Sequence, residues 1–120
     1  MTTFLFIRHG AHDLLGRTMV GRSRPVRLND LGRRQSQFIA GQISAHPIDA
    51  LMSSPQTRCM ETATIISHRI GLPVEIAETA DEIDVGEWSG RNFAELASLP
   101  EWRHFNQVRS LAIPPGGESA

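Results

Sequence analysis

Arg8-His9-Gly10, Arg58 and the acidic run from Asp81 to Glu87 are the residues of this chain whose types could do chemistry together. A guanidinium holds a phosphate through two donors at once. An imidazole can attack and form a covalent intermediate. A carboxylic acid nearby can protonate a leaving oxygen, provided burial or neighbouring negative charge raises its pKa. The combination points to phosphoryl transfer through a phosphohistidine. Each piece alone has a plainer reading: a strand followed by a polar turn, a surface arginine pairing with Glu61 three residues on, and a solvated acidic loop.

The elements that must position these groups read as follows. Phe4-Leu5-Phe6-Ile7 is a short apolar run closed by Gly10, which predicts a buried strand over Thr3 to Arg8. A long polar loop runs from Gly10 to about Asp30, and loops of that length tend to be functional or disordered. A helix is predicted from near Leu31, capped by Asn29 or Asp30, with Leu31, Phe38, Ile39 and Ile43 on its buried face and His46-Pro47 ending it. Ile48 to Ser53 reads as a second strand. Ser54-Pro55 opens a helix to about Ile70, with Cys59, Ala63, Ile66 and Ile70 on one face and Gly71-Leu72-Pro73 as its stop. Pro73 to Ala77 reads as a third strand, followed by an acidic, glycine-bearing loop and short helices between Asn92 and Val108. Strand and helix alternate, which argues for an α/β fold: a mostly parallel sheet with flanking helices. In such sheets ligands bind at the carboxyl ends of strands. Arg8 and Arg58 would then share one sheet edge, with Arg58 at a helix amino end that itself attracts anions.

The bulk numbers narrow the partners. A length of 120 residues suits one domain and one core. A net charge of −1 gives no field toward nucleic acid or acidic membrane. Arginines are crowded early (Arg8, Arg17, Arg22, Arg24, Arg27, Arg33 and Arg34), while acids dominate Glu75 to Glu87. That asymmetry fits an anionic substrate with a separate acid, although most of the arginines read as solvated surface. Cys59 is the sole cysteine, so no internal disulfide forms, and a reducing, cytoplasmic setting is expected. No run has the length of a membrane span, and the N-terminus lacks the pattern of a signal peptide.

Rival chemistries fail on spacing. Cys59 has Ile65, not arginine, six residues on, which excludes a cysteine phosphatase loop. No P-loop string is present. A calcium loop with Gly86 in the sixth position would need ligands from Ile83 and Val85. His12, His46, His68 and His104 have no mutual metal spacing; His46 and His68 read as helix-end or surface residues, and the role of His12, in the loop beside the site, stays open.

Four motifs in order resemble the histidine phosphatase superfamily, which includes phosphoglycerate mutases. They are Arg8-His9-Gly10; Leu28-Asn29-Asp30-Leu31-Gly32-Arg33-Arg34-Gln35; Ser53-Ser54-Pro55-Gln56-Thr57-Arg58-Cys59-Met60-Glu61-Thr62-Ala63; and Glu82 to Gly90, with Gly86-Glu87-Trp88-Ser89-Gly90 in the place of Gly-x-Trp-x-Gly. The resemblance implies a phosphoglycerate mutase-like α/β fold, with 1–120 as a single but partial domain. It implies that His9 is phosphorylated, that Arg8 and Arg58 hold the phosphoryl oxygens, and that Glu82 donates the proton, with Glu87 as the rival acid. Gly21 would make a backbone contact to substrate. The partner would be a small phosphorylated substrate or inorganic phosphate, with no metal and no cofactor.

The sequence also departs from the family. Ala11-His12 stands where an acidic residue and threonine are usual, and Arg22-Ser23-Arg24-Pro25-Val26-Arg27 replaces the usual Asp-x-Pro loop, so both bear on which substrate is taken. Pro115-Gly116-Gly117-Glu118-Ser119 resembles a motif preceding a helix and a strand that carries a second pocket histidine, and that histidine is not in this sequence. Without its strand, Phe4 to Ile7 would be an exposed apolar sheet edge, which invites pairing with a second copy. The expected activity is phosphomonoester hydrolysis, because the stretch from Trp88 to Pro114 is short for a mutase. A mutase-type transferase and an inactive phospho-ligand-binding fragment are the alternatives.

Overall fold

The computed structural model describes residues 1–22, 25–110 and 112–118. Ser23 and Arg24 of the substrate loop, and Ser119 of the ending motif, lie outside the described residues. The chain divides into two compact units, Met1–Asp13 with Arg27–Ala80, and Leu14–Val26 with Asp81–Ala120.

The first unit contains α1 (Asp30–Ile43), β1 (Leu51–Ser53), α2 (Thr57–Ile70) and β2 (Val74–Ile76). β1 and β2 pair in parallel, with Leu51 opposite Val74 and Ser53 opposite Ile76, so α2 is the crossover of a βαβ unit. Asn29 caps α1 as expected, its side-chain oxygen accepting from the Gly32 N–H at 2.8 Å. α2 begins at Thr57, later than Ser54-Pro55 predicted, because the Ser54 hydroxyl accepts from the Gln56 N–H instead of capping the helix. It ends at Gly71, whose φ of 75° is the left-handed conformation that glycine adopts without strain.

Two expectations need correction. The run Thr3 to Arg8 forms no ladder among the described residues, and Phe4 and Phe6 are 73% and 94% exposed. Apolar residues make a strand only where a neighbouring strand takes their backbone groups, and the described ladder is β1 with β2, with one isolated antiparallel bridge between Thr18 and Asn92. The buried residues of α1 are Gly32, Ser36 and Ala40, while Leu31 and Phe38 are exposed. Small residues at four-residue spacing give one helix face on which backbone can approach closely, and that face won over the bulkier one.

The second unit contains α3 (Phe93–Leu96) and α4 (Pro100–Gln107) around a core of Val85, Trp88, Leu96, Phe105 and Ala112. The Trp88 ring meets Trp102 edge-on at 5.3 Å and Phe105 at 5.4 Å. Asn92 caps α3 by accepting from the Glu95 N–H, and Pro100 occupies the first turn of α4. The proline- and glycine-rich ending is fastened to the acidic loop: Glu87 N–H donates to the Pro115 carbonyl and Glu118 N–H to the Asp84 carbonyl, both at 2.8 Å.

The helical glycines of α1 give a test with opposite signs. A Cβ on Gly32 would collide with the Ala11 backbone, whereas one on Gly41 would meet nothing within 4 Å. Gly32→Ala is expected to lower the urea midpoint by the equivalent of about 1–3 kcal/mol. Gly41→Ala is expected to raise it by about 0.5–1 kcal/mol. Equal effects of the two substitutions would contradict the close approach at Gly32.

Candidate active site

The signature tripeptide lies in the first unit, with no regular structure of its own. What holds it is a set of hydrogen bonds from three separate stretches of sequence. Gly10 N–H donates to the Thr62 hydroxyl of α2 at 3.1 Å. Ala11 N–H donates to Gln35 Oε1 of α1 at 2.9 Å. Asn29 N–H donates to the Ala11 carbonyl at 3.0 Å. Close packing completes the seat, since a Cβ on Gly10 would meet the Gly32 backbone.

His9 Nδ1 lies 2.8 Å from the Gly10 carbonyl. A carbonyl can only accept, so Nδ1 carries the hydrogen in this contact, and a neutral form of the ring would have its lone pair on Nε2. That is the form a nitrogen nucleophile requires.

Arg58 is in the first turn of α2 and only 3% exposed. Thr62, one turn on, donates its hydroxyl to the Arg58 carbonyl at 2.9 Å while accepting from Gly10. One threonine therefore registers the arginine's helical turn against the signature loop. Arg8, His9 and Gly10 line a groove of roughly 540 Å³ together with Leu31, Phe38 and Ile39.

His12 reports how closely these cations gather. It is 6% exposed, and its ring stacks on His9 with centroids 5.5 Å apart. Burial lowers its pKa from the ordinary 6.5, and the charges of His9, Arg58 and Arg8 lower it further, against the opposing pull of Asp13. Arg8, His9, His12 and Arg58 thus form one electropositive cluster suited to an anion.

Glu82 and Gly21 belong to the second unit. Glu82 is exposed and its Oε1 accepts from the Ile83 N–H at 3.1 Å. Arg22 braces this loop through the Glu82 carbonyl, Asp81 at 3.5 Å and Glu118 at 3.1 Å. Gly21 has a φ of 52°, and a Cβ there would touch Val85 at 3.1 Å. The rival acid Glu87 is exposed at the turn Gly86–Trp88. No cluster of His, Cys, Asp or Glu that could hold a metal occurs among the described residues.

Thr62 and Gln35 were legible only as motif letters. Thr62 does follow Arg58 at the i, i+4 spacing that puts two side chains on one helical face.

The first unit is thus a βαβ unit with a buried arginine in the first turn of its helix and a histidine-bearing loop held against that helix. Residues 4–120 match the histidine phosphatase superfamily (branch 1), and the chain belongs to that family. It is 36% identical to the bifunctional protein Rv2228c of Mycobacterium tuberculosis, over 98% of this chain and 33% of that protein. It is 28% identical to the glucosyl-3-phosphoglycerate phosphatase of Mycolicibacterium vanbaalenii, over 96% of this chain and 52% of that enzyme. The mycobacterial glucosyl-3-phosphoglycerate phosphatase solved with inorganic phosphate superposes with a TM-score of 0.80 at 29% identity, over 92% of this chain and 52% of that one. The fold is the α/β, phosphoglycerate mutase-like one, and the chain spans between a third and about half of these curated relatives.

Two measurements check the site. Thr62→Val leaves the Gly10 N–H without an acceptor and is expected to cost about 1–3 kcal/mol in urea unfolding, with Thr62→Ser recovering most of it. The second is a pH dependence. Because folding lowers the pKa of His12, the unfolded chain binds more protons just below pH 6.5. The stability from the neutral ring is therefore complete above pH 6.5 and falls as the pH drops toward the folded-state pKa. His12→Asn should flatten that part of the stability profile; an unchanged slope would count against a neutral, buried His12.

Proposed function

We propose that this chain is a phosphatase-type member of its family that hydrolyses a small phosphomonoester through a phosphohistidine at His9. The observation that carries the reading is the Nδ1 contact to the Gly10 carbonyl, which suits the tautomer with its hydrogen on Nδ1, in a cluster containing Arg8 and Arg58. Nε2 attacks phosphorus as the ester P–O bond breaks, and the leaving oxygen takes a proton from Glu82. Glu82 as carboxylate then accepts a proton from water, whose oxygen attacks the phosphohistidine. The P–N bond breaks, inorganic phosphate leaves and Nε2 is restored. Arg8 and Arg58 hold the phosphoryl oxygens, where charge accumulates in the transition state. Gly21 contributes a backbone contact to the substrate. Relatives named as phosphatases, and the phosphate complex of a structural neighbour, support the choice of hydrolysis.

The residues 1–120 act as one partial catalytic domain in this reading, within a reducing, cytoplasmic compartment. Mutase-type transfer, in which a substrate hydroxyl replaces water, stands second. Inactive phosphate binding by this length of chain is the third outcome of the same assay.

Incubation with p-nitrophenyl phosphate is expected to give turnover and a phosphoryl adduct that peptide mass spectrometry maps to His9. His9→Ala should lose both, and Arg58→Gln should lower kcat by about 10²–10³. Turnover by His9→Ala at the native rate would eliminate the mechanism.

A further inference from the structure

The apolar run that leads into the signature tripeptide keeps its side chains in water. Phe4, Leu5, Phe6 and Ile7 are all exposed, and their backbone groups make no hydrogen bond among the described residues. The run is nevertheless laid out as a strand would be. The Phe4 and Phe6 rings stack with centroids 6.3 Å apart. Side chains two apart on an extended chain share a face at a separation of about 6.6 Å. Leu5 and Ile7 then share the opposite face, and Ile7 lines the groove with Leu31 and Phe38, which are exposed as well. Open donors and acceptors flanked by apolar side chains are a template for another strand.

The run itself selects what covers it. Its pattern is self-complementary: residues 1–7 carry no charged side chain, so two copies can lie antiparallel without opposing like charges. A two-fold axis at Leu5 sets Phe4 opposite Phe6 of the second copy, a cross-strand aromatic pair made twice. The two Arg8 guanidinium groups then stand about 20 Å apart along the ladder, beyond the screening length at physiological salt. The area also suffices. Phe4, Leu5, Phe6, Ile7, Leu31 and Phe38 together expose on the order of 500 Å² of apolar surface per copy, and about 1,000 Å² for the pair is where a specific interface begins.

We propose that residues 3–7 are a dimerisation strand through which two copies of this chain join in an antiparallel ladder centred on Leu5. The Phe4 and Phe6 rings of both copies pack on one face, and Ile7, Leu31 and Phe38 are covered on the other. The ladder ends before Arg8, so it stands independently of the chemistry assigned to His9.

Sedimentation velocity of the whole chain over a concentration series is expected to show a monomer–dimer equilibrium with a midpoint of about 10 µM. Phe6 is 94% exposed, so Phe6→Lys leaves the core of the single copy intact. It should weaken the dimer about 100-fold, because the change enters the interface twice, while the urea midpoint of the diluted monomer stays the same. Mild oxidation reads the register. Leu5→Cys places a thiol directly opposite its own copy, within disulfide reach, whereas Phe6→Cys places its copies on a diagonal about 7–8 Å apart. Leu5→Cys should therefore form a covalent dimer and Phe6→Cys far less, above the background set by Cys59 in the native chain. A monomer throughout the series would overturn the proposal, as would a mass that grows past the dimer, a dimer that survives Phe6→Lys, or cross-linking that favours Phe6→Cys over Leu5→Cys.

Discussion

The close approach of the signature loop to the first turn of α1 is the constraint on which the rest of the site depends. Gly10 and Gly32 meet backbone to backbone, and a side-chain carbon on either would occupy the place of the other strand of chain. Only with that contact made can Gln35 reach Ala11 N–H, Asn29 reach the Ala11 carbonyl and Thr62 reach Gly10 N–H. Each bond is modest by itself, about 1 kcal/mol net. Together they replace the regular hydrogen-bond ladder that Thr3 to Arg8 lacks among the described residues. An irregular loop is thereby held on helices, and precision at a reactive atom comes from its supporting groups.

The same contact explains the electrostatics. Bringing His9 and His12 into stacking distance near the exposed Arg8 and the buried Arg58 concentrates positive charge, part of it away from water. Such a cluster costs free energy unless some members stay neutral or an anion arrives. His12 is the member that yields, since it can lose its proton and arginine cannot. Arg8 and Arg58 are the groups of the cluster whose forked donors match a phosphoryl oxygen pair.

Legibility followed range. Arg8-His9-Gly10, the Asn29 cap and the Arg58–Thr62 spacing are local, and a local pattern survives in sequence. The face of α1 did not, because apolar periodicity selects Leu31 and Phe38, whereas burial selected Gly32, Ser36 and Ala40 for their lack of bulk. Thr3 to Arg8 failed as a strand for a related reason: its pattern states a preference for burial, but a ladder needs a partner supplied from elsewhere. His12 could be noticed as a departure from the family, yet its stacking on His9 depends on where Gly10 and Ala11 are pinned, and that is a tertiary fact.

The second unit solves a like problem by the same means. Gly86 and Gly117 let the Asp84–Glu87 turn and the Pro115–Gly117 turn lie backbone against backbone, as Gly10 and Gly32 do in the first unit. Trp88 anchors that turn from below, packed edge-on against Trp102 and Phe105. Arg22 then ties Asp81, the Glu82 carbonyl and Glu118 together across the surface. The consequence is a division of labour among the acids. Asp81 and Glu118 are engaged as ion-pair partners, and Asp84 caps the turn through Gly86 N–H. The Glu82 carboxylate accepts from the adjacent Ile83 N–H, a local side-chain-to-backbone bond of the kind that shapes turns.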